Sequence, residues 1–386
     1  MIKIAIKMLM GDRGKFIAMI AGVFFSALII TQQSSIFVGF ISRSFGFLTD
    51  IQLPDLWVVD PKVQFIDDTK PMSQTKLSNV RGVAGVEWAV PMYKGLQRVR
   101  LSNGTIQNSF VVGLDDASLI GGPPVMLNGK LSDLRRSESV IVDEAGALKR
   151  LANPSVLING KPKPLEIGDT IELNDHRAVV VGISRITRTF QSQPVIYTTY
   201  SRALTFAPYE RRQLTYILVK AKAGESIDTL KARITKSTGL MPLTRDEFIK
   251  LSYMYIFKNT GIPINFGIAV ILGFIVGSAI VGQTFYSFTL DNIKSFGTFK
   301  AMGALNRTLL KMVLVQATIV AFIGYGLGVG AASLFRILSL NSELAFRMIW
   351  QIPILTAVSV FLMCLLAATI CMIKVFRIEP AIVFRS

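Results

Sequence analysis

Hydrophobic and polar positions follow two rhythms along this chain. From Phe16 to Ile41 the sequence FIAMIAGVFFSALIITQQSSIFVGFI holds no charged residue, and neither do Asn259–Leu290, Met312–Phe335 and Met348–Ile373. Each run is longer than the roughly 20 residues a helix needs to cross a bilayer. Helices buried in a large soluble core are the other reading of one such run. Three of them crowded into the C-terminal part of the chain favour the membrane. The pattern predicts four transmembrane helices, which puts both termini on one side. Within the first run the patch Thr31–Ser35 is polar, so that stretch is expected to face protein or an interface. A basic segment precedes the same run, as in a cleaved signal peptide. No A-x-A site follows it, and an uncleaved anchor is expected.

Between the first two runs the rhythm shortens to that of strands and short helices. PDLWVVD and VEWAVPMY read as strands, and QRVRLSNGTIQNSFVVG as a hairpin turning at Asn103-Gly104. SESVIVDEAGALKRL passes from a strand pattern to a helical one, and IGDTIELNDHRAVVVGISR is a second hairpin turning near Asn174-Asp175. TYILVKA is another strand, followed by a helix whose Ile227, Leu230 and Ile234 share a face. In TRDEFIKLSYMYIFKN, Thr244 with Glu247 three residues later forms a capping box. That last helix is expected to run with little break into the second span, as a stalk. The fold class expected is a membrane protein, α-helical with four transmembrane helices, plus a mixed α/β extracytoplasmic domain between helices 1 and 2.

Composition sharpens the picture through charge. The 386 residues are 51% hydrophobic and 17% charged, where soluble domains carry about a quarter. Lys+Arg 42 against Asp+Glu 25 gives +17. No nucleic-acid recognition motif accompanies that excess, so it is assigned to membrane lipid rather than to nucleic acid. Basic residues collect before the first run (Lys3, Lys7, Arg13, Lys15 against Asp12) and after the second (Lys294, Lys300, Arg307, Lys311 against Asp291). They also collect in the tail (Lys374, Arg377, Arg385 against Glu379), whereas the remaining short loop has Arg336 and Arg347 with Glu343. The positive-inside rule makes the first three cytoplasmic. The expected order is an amphipathic lead-in at 1–15, spans at 16–41 and 259–290 enclosing the outer domain at 42–258, and a cytoplasmic helix at 291–311. Spans at 312–338 and 348–373 follow, joined by an outer loop at 339–347 and ending in a cytoplasmic tail at 374–386.

Little in the sequence points to catalysis. Cys364 and Cys371 lie seven apart in the last run and read as buried thiols, and His176 stands alone, without a zinc ligand set. GDRGKF and LNGKLS lack the spacing of a phosphate-binding loop, and no serine sits in a G-x-S-x-G setting. The paired carboxylates Asp143-Glu144 and Asp67-Asp68 read as solvated turn or helix-start residues.

The loop between the second and third spans is different. In KSFGTFKAMGAL and the isoleucine just before it, Ile293, Phe296, Phe299 and Met302 recur every third residue, with Lys294 and Lys300 off that line. This is a short amphipathic helix at the inner membrane surface. Gly297 and Gly303 each weaken a helix by about 1 kcal/mol relative to alanine, which suits a helix that lets another backbone come close. Two readings stay open: an interfacial helix whose lysines meet anionic lipid, and a docking helix received by a groove in a partner.

The stretch from Phe285 to Gly328 resembles the permease segment of the MacB/FtsX superfamily, the type VII ABC transporters. The likeness rests on Phe296-Gly297, Lys300-Ala301, Gly303-Ala304 and the glycines from Gly324 to Gly330, with the closing FRIEPAIVFRS also similar. The sequence departs from the family at Gln316-Ala317, where Glu-Ala is usual, and at Phe384, where leucine is usual. TLDNIKSFGTFKAMGA and LWVVDP look most like the DevC-type permeases of cyanobacterial glycolipid export. The resemblance implies a homodimer in the bacterial inner membrane, coupled to a separate ABC-type ATPase dimer that binds ATP and Mg, with no cofactor in this chain. It implies mechanotransmission: the ATPase pushes the helix built from Lys294, Phe296, Gly297, Phe299, Lys300, Ala301, Met302 and Gly303. Cargo outside the membrane is then driven on through an HlyD-like adaptor and a TolC-like duct. An FtsX-like regulator of cell-wall hydrolases, Lol-type lipoprotein extraction and an anchored binding domain without an ATPase are the alternatives. Independently of the family, Gly273-x-x-x-Gly277, Gly324-x-x-x-Gly328 and Gly326-x-x-x-Gly330 permit close helix contact, between copies or within one.

Overall fold

The computed structural model describes residues 2–158, 160–189, 192–209, 212–339 and 344–376. Glu343 of the short loop, and Arg377, Glu379, Phe384 and Arg385 of the tail, lie outside the described residues. The chain divides into two compact units, one formed by residues 1–40 and 261–386 and the other by residues 41–260.

The chain begins with helix α1 (Ile2–Gly11) and the long helix α2 (Arg13–Ser44). The second unit then holds α3 (Gly46–Asp50), β1 (Leu56–Val59), α4 (Thr75–Arg81), β2 (Val86–Arg100), β3 (Ile106–Leu114), β4 (Val125–Asn128) and β5 (Ser139–Asp143). It continues with β6 (Asn153–Ile158), β7 (Lys161–Lys163), β8 (Thr170–Leu173), β9 (His176–Arg185), β10 (Val195–Thr199) and α5 (Tyr200–Phe206). β11 (Tyr216–Ala221), α6 (Ile227–Thr238), β12 (Met241–Leu243) and α7 (Arg245–Asn259) complete it. The chain returns to the first unit with α8 (Ile262–Asp291), α9 (Ile293–Ala301), α10 (Asn306–Leu338) and α11 (Gln351–Phe376).

In the second unit the strands lie in the order β12-β1-β11-β2-β3-β10-β5-β9-β4, and β8 bridges β2 and β9. The pairing path β2-β3-β10-β5-β9-β8 thus returns to β2 and closes on itself. Residues alternate between two cores. Leu56 and Val58 of β1, Ile217 and Val219 of β11, and Val140 and Val142 of β5 enter one, which α4, α5 and α6 cover with Val80, Ala203 and Leu230 among others. Trp57, Val59, Tyr216, Leu218 and Ile141 enter the other, together with Leu48 of α3 and Phe248 of α7. Burial on both faces explains why LWVV, SVIVD and YILV read as continuous apolar runs.

Local chemistry sets the turns. Gly104 takes φ +79 in the β2–β3 hairpin, and Asn174 and Asp175 take φ 45 and 65 between β8 and β9, the left-handed pair of a tight hairpin turn. Thr244 Oγ1 accepts the Glu247 N–H at 3.3 Å, and the Glu247 carboxylate accepts the Thr244 N–H at 2.9 Å, so α7 begins in a capping box. α7 ends at Asn259 and α8 starts at Ile262, with Thr260 in an extended conformation.

The two carboxylate pairs read as solvated need correction here. After β5 the chain turns helical, as the pattern predicts, in one wide turn at Gly146–Arg150. Asp143 directs it: its carboxylate accepts the Gly146 N–H at 2.9 Å and the Val195 N–H at 2.7 Å. Asp143 is therefore buried rather than solvated, and burial pushes its carboxyl above the usual carboxylate range. Asp67 and Asp68 are likewise only partly exposed, paired with Lys94 and Lys70 respectively.

Among the described residues, four helices are long and apolar enough to cross a membrane: α2, α8, α10 and α11. The polar patch on α2 meets protein. Thr31 and Thr356 of α11 share a hydrogen bond at 3.0 Å, and the Ser35 carbonyl accepts the Arg347 N–H at 3.0 Å.

Candidate functional site

α9 is a helix of nine residues between two spans, IKSFGTFKA. Its end is chemically specified. The Ala304 N–H donates to the Phe299 carbonyl at 2.9 Å, and the Gly303 N–H to the Lys300 carbonyl at 3.0 Å. With Gly303 at φ +91, this is a Schellman cap. A Cβ on Gly303 would meet nothing within 4 Å. Within this chain its glycine therefore serves backbone conformation. Gly303→Ala is expected to cost about 1–2 kcal/mol, the penalty of a side chain in that region, read as faster hydrogen exchange at the Ala304 amide with α2 unchanged.

The faces of α9 divide sharply. Phe296 is 1% exposed and Gly297 is buried, while Ile293, Phe299 and Ala304 pack against the same core. That core takes in Leu9 of α1, Phe288 of α8 and Leu309 and Met312 of α10. The line Ile293-Phe296-Phe299 is thus an anchor, not a surface offered to a partner. Met302, expected on the same line, is 69% exposed, and Leu305 is 71% exposed. Lys294, Thr298, Ala301 and Arg307 are exposed as well. Sequence reasoning passed over Leu305. Its signal was an apolar residue directly after a glycine-turned cap.

Polar contacts fasten the elements around α9. Lys300 Nζ donates to the Phe376 carbonyl at the end of α11 at 3.1 Å. Lys15 at the start of α2 pairs with Asp291 at the end of α8, and with Asp12 at 3.3 Å. The Lys15 backbone N–H, 3.1 Å from Asp12, holds the Asp12 carboxyl below the usual carboxylate range. Gln316, fully buried in α10, donates its amide N–H to the Ala5 carbonyl at 2.9 Å and so ties α1 to the bundle. An ionised glutamate at that position has no proton to give.

Four of the six glycines singled out for close helix contact, Gly273, Gly277, Gly324 and Gly328, are occupied within the chain. A Cβ on Gly273 of α8 would lie 2.9 Å from Ile29, and one on Gly277 would overlap Ser26 Oγ. On α10, Gly324 faces Val23 and Gly328 faces Ala27 and the Phe24 carbonyl, at 2.5 to 2.8 Å from an added Cβ. Ser26 Oγ donates to the Gly273 carbonyl at 2.8 Å. α2 is thereby gripped between α8 and α10. Gly326 and Gly330 have nothing within 4 Å of an added Cβ.

Comparison with known proteins places both units. Residues 16–237 match the MacB-like periplasmic core domain, and residues 267–380 match the FtsX-like permease C-terminal domain. Among solved structures, the periplasmic region of MacB from Actinobacillus actinomycetemcomitans aligns at 15% identity over 55% of this chain and 96% of that one, with a TM-score of 0.35. The extracellular domain of the noncanonic ABC-type transporter YknZ from Gram-positive bacteria aligns at 11% identity over 48% of this chain and 91% of that one, with a TM-score of 0.34. A search of curated proteins found no match.

Proposed function

The chain belongs to the MacB/FtsX-type family of ABC-transporter permeases, and from that premise we propose that it transmits motion from a partner ATPase to its own outer domain. The observation that carries this reading is the division of α9 between a buried face anchored by Phe296 and exposed side chains at both ends, Lys294 at its start and Met302 and Leu305 just past its close, the latter two near the exposed Arg307. A helix so anchored cannot be pushed without moving α1, α8 and α10, whose side chains share its core. Apolar side chains presented beside cations suit a protein groove, where a few buried anchors carry most of the binding free energy.

Motion, rather than passage of cargo through the bundle, is supported by the charge-free spans. Pathways through membrane proteins are marked by ionisable or strongly polar positions. In this reading α1, α9 and the tail face the cytoplasm of a bacterial inner membrane, as the positive-inside rule requires. The chain acts as a homodimer. ATP-driven closure of the partner moves α9, the displacement passes along α2 and α8, and the outer domains of the two copies change their fit. Cargo outside the membrane is driven onward through an adaptor and an outer-membrane duct, as in the DevC-type branch. The partner must bind the two states with different free energy, a difference that hydrolysis supplies.

The test is the double variant Met302→Asp/Leu305→Asp, reconstituted in vesicles with the ATP-hydrolysing subunit. Binding of that subunit is expected to weaken roughly thirtyfold or more, with stimulation of hydrolysis and export lost together, while the bundle unfolds at the wild-type temperature. Unchanged hydrolysis and export would overturn the reading.

A further inference from the structure

One residue of β2 is unexplained by the apolar pattern around it. Lys94 follows Val90 and Met92 on one face of the strand, yet it carries an ammonium, and its side chain is only 4% exposed. Among the described residues the acceptor for its Nζ is a carboxylate oxygen of Asp67. Two ring faces flank the ammonium, with the Phe47 centroid at 4.5 Å and the Phe110 centroid at 5.0 Å. β2 pairs with β11 as far as Met92 and with β3 from Tyr93 onward, so Lys94 stands where the strand changes partner.

A cavity of about 380 Å³ opens at that point, within the range of small-ligand pockets. Lys94, Asp67, Lys70, Leu96, Phe110 and Gln213 are among its lining residues. A much smaller cavity also has Lys94, Asp67 and Phe110 in its wall, so these three residues line both spaces.

A purely structural role accounts poorly for this lysine. Taking both charges of a pair out of water costs about as much as their attraction returns, and an apolar residue of similar volume often serves stability as well or better. The pair is also lopsided: Lys94 is buried, whereas Asp67 is 31% exposed. Lys70 brings a second ammonium to the cavity, itself paired with Asp68 at 2.7 Å. An ammonium already stripped of water and held between rings loses no further hydration when an anion arrives, and the low local dielectric strengthens the contact. A cationic ligand would meet two ammonium groups. A neutral one would leave the Lys94–Asp67 pair unused.

We propose that this cavity binds a small organic anion, a carboxylate or phosphate on a short apolar body. The anion rests on Lys94 and the body lies against Phe110 and Leu96. Asp67 occupies the anion's place until the ligand displaces it. This site is independent of the coupling role of α9.

The test is thermal unfolding of the full-length protein in an uncharged detergent, titrated with hexanoate and with hexyl phosphate. Inorganic phosphate and hexyltrimethylammonium are the controls. A saturable rise in unfolding temperature with at least one hexyl anion, and not with the controls, is expected, and the better of the two identifies the anion. Asp67→Asn leaves the ammonium unpaired, so it is expected to lower the unfolding temperature without ligand and to tighten binding roughly tenfold or more. Lys94→Met is expected to abolish the response, and the double variant Asp67→Asn/Lys94→Met to fold with neither charge and bind neither anion. The proposal is overturned if neither hexyl anion stabilises the wild type, if inorganic phosphate alone reproduces the effect, or if Lys94→Met responds as the wild type does. Weaker binding by Asp67→Asn would overturn it too, because the aspartate would then be a ligand contact and not a stand-in.

Discussion

Leucine at Gly277 is expected to prevent the four apolar helices from assembling. The position is the tightest point in the grip on α2: an added Cβ would overlap Ser26 Oγ, lie 2.7 Å from Ser26 Cβ and sit 3.0 Å from the Met363 sulfur of α11. Three helices therefore meet where one hydrogen atom now stands. Overpacking costs about 1–3 kcal/mol where side chains can shift. Here the displaced group is Ser26, whose hydroxyl also donates to the Gly273 carbonyl one turn away, so relief of the clash breaks that bond as well. Between lipid-embedded helices, close backbone approach and such hydrogen bonds are the main attractions, since lipid tails compete equally for apolar side chains. Full-length Gly277→Leu should unfold far below the wild type in detergent, with Gly282→Ala as the neutral control, because nothing lies within 4 Å of an added Cβ there. A Gly277→Leu protein as stable as the wild type would mean that α2 and α8 do not approach through this glycine.

What could be read from the sequence and what could not divide along physical lines. The spans were legible because a run without charge is a property of composition alone, and the hairpin turns because Asn-Gly and Asn-Asp are suited to left-handed backbone. The capping box was legible because its two partners are three residues apart. Contacts made far along the chain were not. Asp143 reads as a solvated turn residue until Val195, 52 positions away, is brought to its carboxylate. Lys94 is a lysine in a strand until Asp67 and two phenylalanines close around it. β10 and α5 escaped notice because VIYTTYSRALTF carries both a strand's β-branched residues and a helix's spacing. Spacing marks glycines that permit close approach but names no neighbour: that of Gly273, Gly277, Gly324 and Gly328 is α2 of the same chain, while Gly326 and Gly330 have open space beside them. Met302 misled for a subtler reason. Its place in the every-third-residue line assumes the helix continues, whereas α9 stops at Ala301 and the left-handed turn at Gly303 carries the chain away from the inward face.

Aspartate at Phe296 is expected to have the largest effect of any single change in α9, and an effect different in kind from that at Met302. Removing a buried phenylalanine ring costs about 3–5 kcal/mol through lost packing alone. A carboxylate in its place enters the apolar core that also holds Leu9, Phe288 and Leu309, and an unpaired buried charge costs several kcal/mol more. The helix has one way to avoid this, which is to leave the bundle and carry the aspartate to water. Ile293, Phe299 and Ala304 then lose their packing against that core, and the core that Leu9 of α1 shares is opened. Both Phe296→Asp and Met302→Asp/Leu305→Asp should abolish stimulation of the ATPase. Only the first should also lower the unfolding temperature and speed hydrogen exchange at α1 amides, because only the first removes an anchor. Phe296→Leu fills most of the same space without charge and should keep both stability and stimulation. If Phe296→Asp unfolds at the wild-type temperature, Phe296 does not face the bundle. The surface that meets the ATPase would then have to be assigned to the line Ile293-Phe296-Phe299 after all.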